Sequence, residues 1–358
     1  MCNNYIAMRV FKLLIKLLVL INILYADFVF SEAYLSDTNS NSVVVQDNYF
    51  ALMFGVTNYH KGRAANQFAE LKYSNNDLRD VNSALIKSGF KEENIEIYTD
   101  EILYINEDEK IEIPNSYAVL SEKIDKEYIL ETISNFIIQH KVDENDLFLV
   151  YLTGHGGIVG DSRLFVTSDT SLTVSSSYLK IDEVLERLSN ESPGSKQILV
   201  VDACANQLYG VKNHKEVIVY GYGNKVADQL YSSKLEQASR FDSDIGNSVF
   251  THYFSMALKN SKPGQLGYNG NGDRYITTRE LFGFTKKYVA QHIKTPGSHS
   301  ISKIQLKDDD LSQVPDSVIA NDYSVVEYEK DLYCSWSVLK QMDGSGVNNW
   351  LKYCNDRL

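Results

Sequence analysis

Tyr49 to Val56, Leu147 to Leu152 and Ile198 to Val201 are apolar at consecutive positions, not at alternate ones. A strand of that kind has to be covered on both faces, which restricts the fold more than any other feature of the chain. Two further short runs, Asn94 to Tyr98 and Leu164 to Thr167, also read as strands. The stretches between them have helical periodicity. Ser74, with Asp77 three residues on, starts a helix that lays Leu78, Val81 and Leu85 on one face and stops at Gly89. Asp125 starts a second, with Ile129, Ile133, Phe136 and Ile137 in register, and Ile181 to Leu188 is a third. Two more helices are expected at Val249 to Lys259 and Thr278 to Ile293. Buried strands alternating with amphipathic helices imply an α/β fold, with a mainly parallel central sheet and helices on both faces. In such sheets ligands bind at the carboxyl ends of the strands.

The ends of the chain read differently. Arg9, Lys12 and Lys16 precede an apolar run from Leu17 to Ala26, and Ser31-Glu32-Ala33 supplies small residues at the third and first positions before a cut after Ala33. That order is expected of a secretory signal peptide over residues 1–33, with a retained anchor as the alternative. The run falls short of the roughly 20 apolar residues a membrane span needs, so no span is expected after signal removal. A polar lead-in, 34–47, precedes the main domain, and the acid-rich stretch Asp100 to Glu112 reads as a surface insertion. Periodicity fades after Pro296-Gly297, and Asp308-Asp309-Asp310 marks a boundary between a domain at 48–306 and a small tail at 307–358. With 47 acidic against 35 basic residues the net charge is -12, which excludes nucleic acid as a main partner. No internal repeat is present.

Two of the most apolar strands end in residues with chemistry. The first tip reads Tyr151-Leu-Thr-Gly-His155-Gly-Gly157 and the second Val200-Val-Asp202-Ala-Cys204-Ala-Asn206. A histidine and a cysteine at the ends of neighbouring parallel strands can meet above the sheet edge. An adjacent imidazole raises the thiolate fraction of a cysteine or takes its proton, so the pair suits nucleophilic catalysis. Glycines around the histidine let backbone approach a substrate. The N–H groups of Gly156 and Cys204 are the candidates for an oxyanion hole. The bland reading is a buried cysteine and a turn histidine.

Together these motifs make the sequence resemble the caspase-like cysteine peptidases: caspases, metacaspases and their bacterial relatives, with legumain and the GPI transamidase more distant. Caspases carry the histidine roughly 50 residues before the cysteine, and His155 and Cys204 fit that interval. Supporting matches are Phe50-Ala-Leu-Met-Phe-Gly-Val-Thr-Asn58, Asn75-Asn-Asp-Leu with Gly89-Phe90, and Gly246-Asn-Ser-Val-Phe-Thr251 with Thr278-Arg-Glu-Leu281. The resemblance covers residues 48 to 306. It implies a three-layer caspase-like sandwich, and a cysteine endopeptidase in which Cys204 attacks a peptide carbonyl and His155 handles the protons. Protein or peptide substrates follow from it; an oligomeric state does not. A transamidase or ligase with the same dyad, or a non-catalytic secreted binding module of this fold, are the alternatives.

Metacaspases carry an aspartate two residues before the cysteine that helps bind Arg or Lys at P1, and Asp202 stands at that position. The resemblance therefore implies cleavage after basic residues, and the acidic balance of the chain favours such substrates. The other reading is that Asp202 only hydrogen-bonds its loop. Lys61, Arg63 and Lys72 follow the first strand, none of them in a motif that would bind an acidic P1 side chain. The chain departs from the family at Ala205-Asn206-Gln207, where His, Arg or Gln, then any residue, then Gly is more usual after the cysteine, so a different pocket rim is expected. Relatives are often cut between their two halves, so self-processing is expected within Gln207 to Asp244, which contains Lys212, Lys215, Lys225, Lys234 and Arg240.

No cofactor is required by this chemistry. Calcium is possible, because Asn269, Asn271, Asp273, Tyr275 and Glu280 fall at EF-hand spacing. Arg274 occupies the usual glycine position and Asn269 replaces the first aspartate, which weakens the loop. The alternative is a polar loop in which Thr277 or Thr278 caps the last helix. Of the four cysteines, Cys2 leaves with the signal peptide and Cys204 stays a free thiol. Cys334 and Cys354 are the expected disulfide once the chain is exported. The remaining histidines show no metal-ligand spacing.

Overall fold

A computed structural model describes residues 48–59, 68–71, 73–100, 104–106, 111–112, 118–120, 124–159, 162–171, 174, 177–205, 227–259, 275–294, 313–327 and 354. They all lie in one unit, Val45–Leu358. The expected signal peptide, the lead-in and Cys334 lie outside the described residues.

The three consecutive apolar runs become the three middle strands of a seven-stranded sheet. These are β1 (Tyr49–Gly55), β6 (Leu147–Thr153) and β10 (Lys196–Asp202). β2 (Ile95–Thr99) and β5 (Ala118–Leu120) extend the sheet beyond β1, and β11 (Asp228–Tyr231) and β15 (Asp316–Val318) extend it beyond β10. Every pairing is parallel except that of the edge strand β15 with β11. The strand order reverses direction at β1 and β6, which is where an open α/β sheet leaves a crevice at its carboxyl edge.

Each middle strand feeds two cores. Ala51, Met53, Leu149 and Tyr151 face α1 (Ser74–Lys87), α4 (Val249–Lys259) and α5 (Thr278–Lys294). Phe50, Leu52, Phe54, Phe148 and Val150 face α2 (Lys126–His140) and α3 (Ile181–Glu191). All of these strand side chains are buried, each stabilising the fold by about 1.5–3 kcal/mol for the larger aliphatics and Phe. This is the three-layer sandwich expected from the sequence. Helix ends follow the expected chemistry in two places. Asp125 caps α2 by accepting from Tyr128 N at 2.8 Å, and Gly89, at a φ of 103°, turns the chain after α1 so that Phe90 N bonds Leu85 O.

Four local differences from the sequence reading matter. Ser74 and Asp77 do not form a cap: the residue preceding α1 is Tyr73, and the Asp77 carboxylate turns elsewhere. Leu164 to Thr167 does not join the main sheet. Its first residues belong to β8 (Ser162–Phe165), which pairs antiparallel with β7 (Gly156–Val159) in a side sheet completed by β9 (Leu179–Lys180). The acid-rich insertion contains a short hairpin, β3 (Tyr104–Asn106) and β4 (Ile111–Glu112). Of the stretch read as a small tail, the described residues Gln313 to Glu327 and Cys354 pack with the domain. β15 edges the main sheet, β16 (Ser324–Glu327) pairs with β14 (Tyr275–Thr277), and Val325, Val326 and Cys354 join the core. Cys354 is disulfide-bonded. No helix among the described residues is long and apolar enough to cross a membrane.

Candidate active site

Thr153, the last residue of β6, pairs with Gly55 of β1 on one side and with Asp202 of β10 on the other. Val56 N donates to Thr153 O at 3.1 Å, and Gly154 N to Asp202 O at 3.2 Å, so the three strands stay aligned one step past their ends. His155 and Cys204 therefore leave adjacent strands at the same height, each two residues beyond a paired position. The loops also touch. A Cβ on Gly156 would lie 2.6 Å from the Cys204 carbonyl oxygen and 2.6 Å from Ala203 Cβ, so only a hydrogen fits between the two turns.

His155 is held at its ring and at its main chain. Its Nε2 lies 2.8 Å from the carbonyl oxygen of Ala69, and its main-chain N–H donates to the Tyr59 hydroxyl at 2.9 Å. The rings of Tyr59 and Phe68 lie 4.8 and 5.4 Å from the imidazole. Tyr59 is fully buried and its hydroxyl donates to Val56 O at 3.1 Å; burial drives its phenol pKa far up, so it stays a neutral donor. The loop carrying Tyr59 is fixed by Asp100 at the end of β2, which accepts from Thr57 N at 2.9 Å, from Asn58 N at 2.8 Å and from the Thr57 hydroxyl. Burial lowers the imidazole pKa, partly countered by the Ala69 contact.

Cys204 is a free, half-buried thiol. Its Sγ donates to Ser239 O at 3.6 Å. Burial pushes its pKa up; the Ser239 main chain and Arg240 draw it partly back, and the nearby Asp202 adds to the rise. The following residue is clasped by the facing loop: Ala205 N donates to Gln237 O at 2.9 Å, and Glu236 N to Ala205 O at 2.8 Å. The lowered imidazole value and the raised thiol value both favour the uncharged form of each group.

Asp202 is buried at 3% exposure and accepts from the Ser239 hydroxyl at 2.8 Å and the Thr251 hydroxyl at 2.6 Å. The sequence reading missed its companion. Asp77, also 3% exposed, accepts from Ser248 N at 2.9 Å, Asn247 Nδ2 at 3.2 Å and the Thr153 hydroxyl at 3.2 Å. Burial, and then the charge of Asp202, raise the Asp77 pKa well above the usual carboxylate value. Both carboxylates are surrounded by neutral donors, and no lysine or arginine among the described residues pairs with either. Two such groups in one buried place disfavour each other's ionisation, which is the second cause of the raised Asp77 value. Asp77 lies within the Asn75-Asn-Asp-Leu motif, but its spacing from Ser74 mimics a cap and hides the role.

The other sequence candidates are placed apart or not described. Asn269, Asn271 and Asp273 lie outside the described residues. Tyr275 is a buried residue of β14, and Glu280 accepts from Thr277 N at 3.0 Å while Thr277 Oγ1 accepts from Glu280 N at 3.3 Å, a capping box for α5. No group of metal-ligating side chains occurs among the described residues. Of the stretch expected to be self-cleaved, 207–226 lies outside the described residues, and the rest contains buried β11.

A sheet-edge thiol and imidazole on adjacent parallel strands, covered by helices on both faces, define a caspase-like α/β sandwich. The caspase domain family model matches residues 48–312, and the chain belongs to this family of cysteine peptidases. The crystal structure of caspase-1 from Spodoptera frugiperda is similar in fold, with a TM-score of 0.50 over 80% of this chain and 93% of that one, at 15% identity. No curated protein matches the chain.

Proposed function

We propose that the protein is an exported cysteine endopeptidase that cleaves after Arg or Lys, with Cys204 as nucleophile and His155 as the proton carrier. The observation that carries this reading is the Thr153–Asp202 pairing, which brings His155 and Cys204 to one height on neighbouring strands. The Cys204 proton passes to the imidazole as the sulfur bonds to the scissile carbonyl carbon. The imidazolium then protonates the leaving amine, giving an acyl-enzyme. Water, deprotonated by His155, attacks the thioester and restores the thiol. The N–H groups of Gly156 and Cys204, whose backbones are in contact, would receive the oxyanion. Asp202 and Asp77 support a basic P1 residue, because a guanidinium or ammonium would answer two buried carboxylates whose partners among the described residues are neutral donors. The disulfide-bonded Cys354 and the charged-then-apolar start of the chain support export.

The test is a panel of fluorogenic peptides varied at P1, run on the wild type and Cys204→Ala with and without an added amine. Hydrolysis after Arg or Lys that vanishes in C204A is expected. Strict cleavage after Asp or Asn sinks the specificity, turnover by C204A sinks the dyad, and preferential capture by the amine assigns a transamidase instead.

A further inference from the structure

We propose that Gln313, from the segment beyond the residues matched by the family model, is a positioning residue that holds Ser239 against both Cys204 and Asp202. Gln313 is 1% exposed and sits between the two arms of the loop facing Cys204. Its Nε2 donates to Ser232 O at 3.0 Å on one arm and to the Ser239 hydroxyl at 3.3 Å on the other. Its Oε1 accepts from Arg240 N at 3.0 Å. A buried amide that uses both ends to tie one loop shut has a defined task, since an unmatched buried donor or acceptor loses its solvation without recompense. Ser239 is the residue that this clasp fixes, and it reaches the site twice. Its hydroxyl donates to Asp202 Oδ1 and its carbonyl accepts from the Cys204 thiol.

The neighbours of Gln313 repeat the pattern. Val314 O accepts from Lys234 N at 2.9 Å, and Val314 N donates to Gln237 Oε1 at 2.9 Å. Two residues on, Asp316 pairs at 3.1 Å with Arg163 of β8, whose guanidinium also donates to Ser233 O at 2.9 Å and lies 4.0 Å over the Tyr231 ring. The β7–β8 hairpin follows His155 directly. One short segment is therefore bonded to the strand-end structure on both the histidine and the cysteine sides, and Gln313 is its contact with the specificity-bearing half.

This inference rests on the peptidase reading, so its test has one arm independent of substrate. Gln313→Met, of similar volume and without the amide, Ser239→Ala, and the double variant form a cycle. Two rates are measured: alkylation of Cys204 by iodoacetamide, and kcat/KM for an Arg-P1 peptide. If Gln313 acts through Ser239, each single variant lowers kcat/KM about tenfold or more, and the double variant is no worse than the worse single. The alkylation rate departs from wild type in Q313M and follows the same non-additive pattern. Multiplicative effects in the cycle, or a wild-type alkylation rate in Q313M, overturn the inference. If Q313M gives no cooperative melt, Gln313→Glu replaces it in the cycle, keeping the acceptor for Arg240 N and losing both donated bonds, and the same two outcomes decide. A wild type inert toward all peptides defeats the peptidase reading alone, because the alkylation arm still reports on Gln313.

Discussion

His155 Nε2 lies 2.8 Å from the carbonyl oxygen of Ala69. A carbonyl only accepts, so Nε2 carries the proton and, in the proposed mechanism, Nδ1 is the base. Burial lowers the imidazole pKa below its ordinary 6.5 and raises the thiol above its ordinary 9.0, so the resting pair is neutral across physiological pH. A protonated ring cannot take the thiol proton, and activity is lost as pH falls through the lowered imidazole value. The acid limb of kcat/KM for an Arg-P1 peptide should therefore inflect below 6.5. A pH–rate profile checks this, and an acid limb above 6.5 would instead indicate a thiolate–imidazolium pair.

Tyr59→Phe removes the hydroxyl that both accepts from His155 N and donates to Val56 O. It leaves a buried N–H and a buried carbonyl without that partner, at about 1–3 kcal/mol each. The ring itself stays, so the packing against Phe68 and the imidazole is kept. The expected result is a lower melting temperature together with kcat reduced about tenfold or more, since small displacements of a base are expensive in rate. Thermal melts and steady-state kinetics on the same preparation check both. A stable variant with unchanged kcat would show that the imidazole is placed by Ala69 alone.

Asp77→Asn separates the cost of the buried carboxylate pair from its use. An amide can keep accepting at Oδ1 from Ser248 N and Asn247, and can donate toward the Thr153 hydroxyl, which can reverse its role. The folded pKa of Asp77 is raised above its ordinary 3.8, so its contribution to stability is most favourable below that value. That contribution is lost as pH rises toward the folded value. The stability of D77N relative to wild type should accordingly increase from about pH 4 upward, while kcat/KM for Arg-P1 peptides falls by about 1–3 kcal/mol, roughly tenfold to a hundredfold. Denaturant melts across pH and the P1 panel check the two halves. Lower stability of D77N at every pH would mean that the carboxylate serves the fold.

Much of this arrangement is legible in the sequence, and the exceptions share a cause. The apolar runs of β1, β6 and β10 and the helices between them follow from periodicity, because burial on both faces leaves a local signature. His155 and Cys204 stand out because glycines and strand ends surround them. Asp77 does not, since its partners Asn247 and Ser248 lie far along the chain and its spacing from Ser74 imitates a cap. Gln313 and β15 are hidden for a related reason. A three-residue edge strand with Asp316 and Ser317 half-buried and Val318 exposed has no apolar pattern, and its place is set by pairing to β11. Residues fixed by long-range hydrogen bonds are the ones that periodicity cannot find.

Gly55 and Gly156 both leave too little room for a methyl group, and the identity of what crowds them decides the consequence. A Cβ on Gly55 would fall 2.5 Å from Leu78 Cδ1, the end of a side chain that can rotate. A Cβ on Gly156 would fall 2.6 Å from Ala203 Cβ and from the Cys204 carbonyl, and 3.0 Å from the carbonyl of Leu164. Two of those three neighbours are backbone, and the third has no torsion to turn. Gly55→Ala should therefore cost about 1–3 kcal/mol of stability through overpacking and leave kcat/KM close to wild type. Gly156→Ala can be accommodated only by moving the turn that carries Cys204, and a shift of about 1 Å there should cost about a hundredfold in kcat. Parallel melts and kinetics on the two variants check the contrast. Equal kinetic losses would mean that the sheet edge moves as one body and that the two turns are not in separate contact.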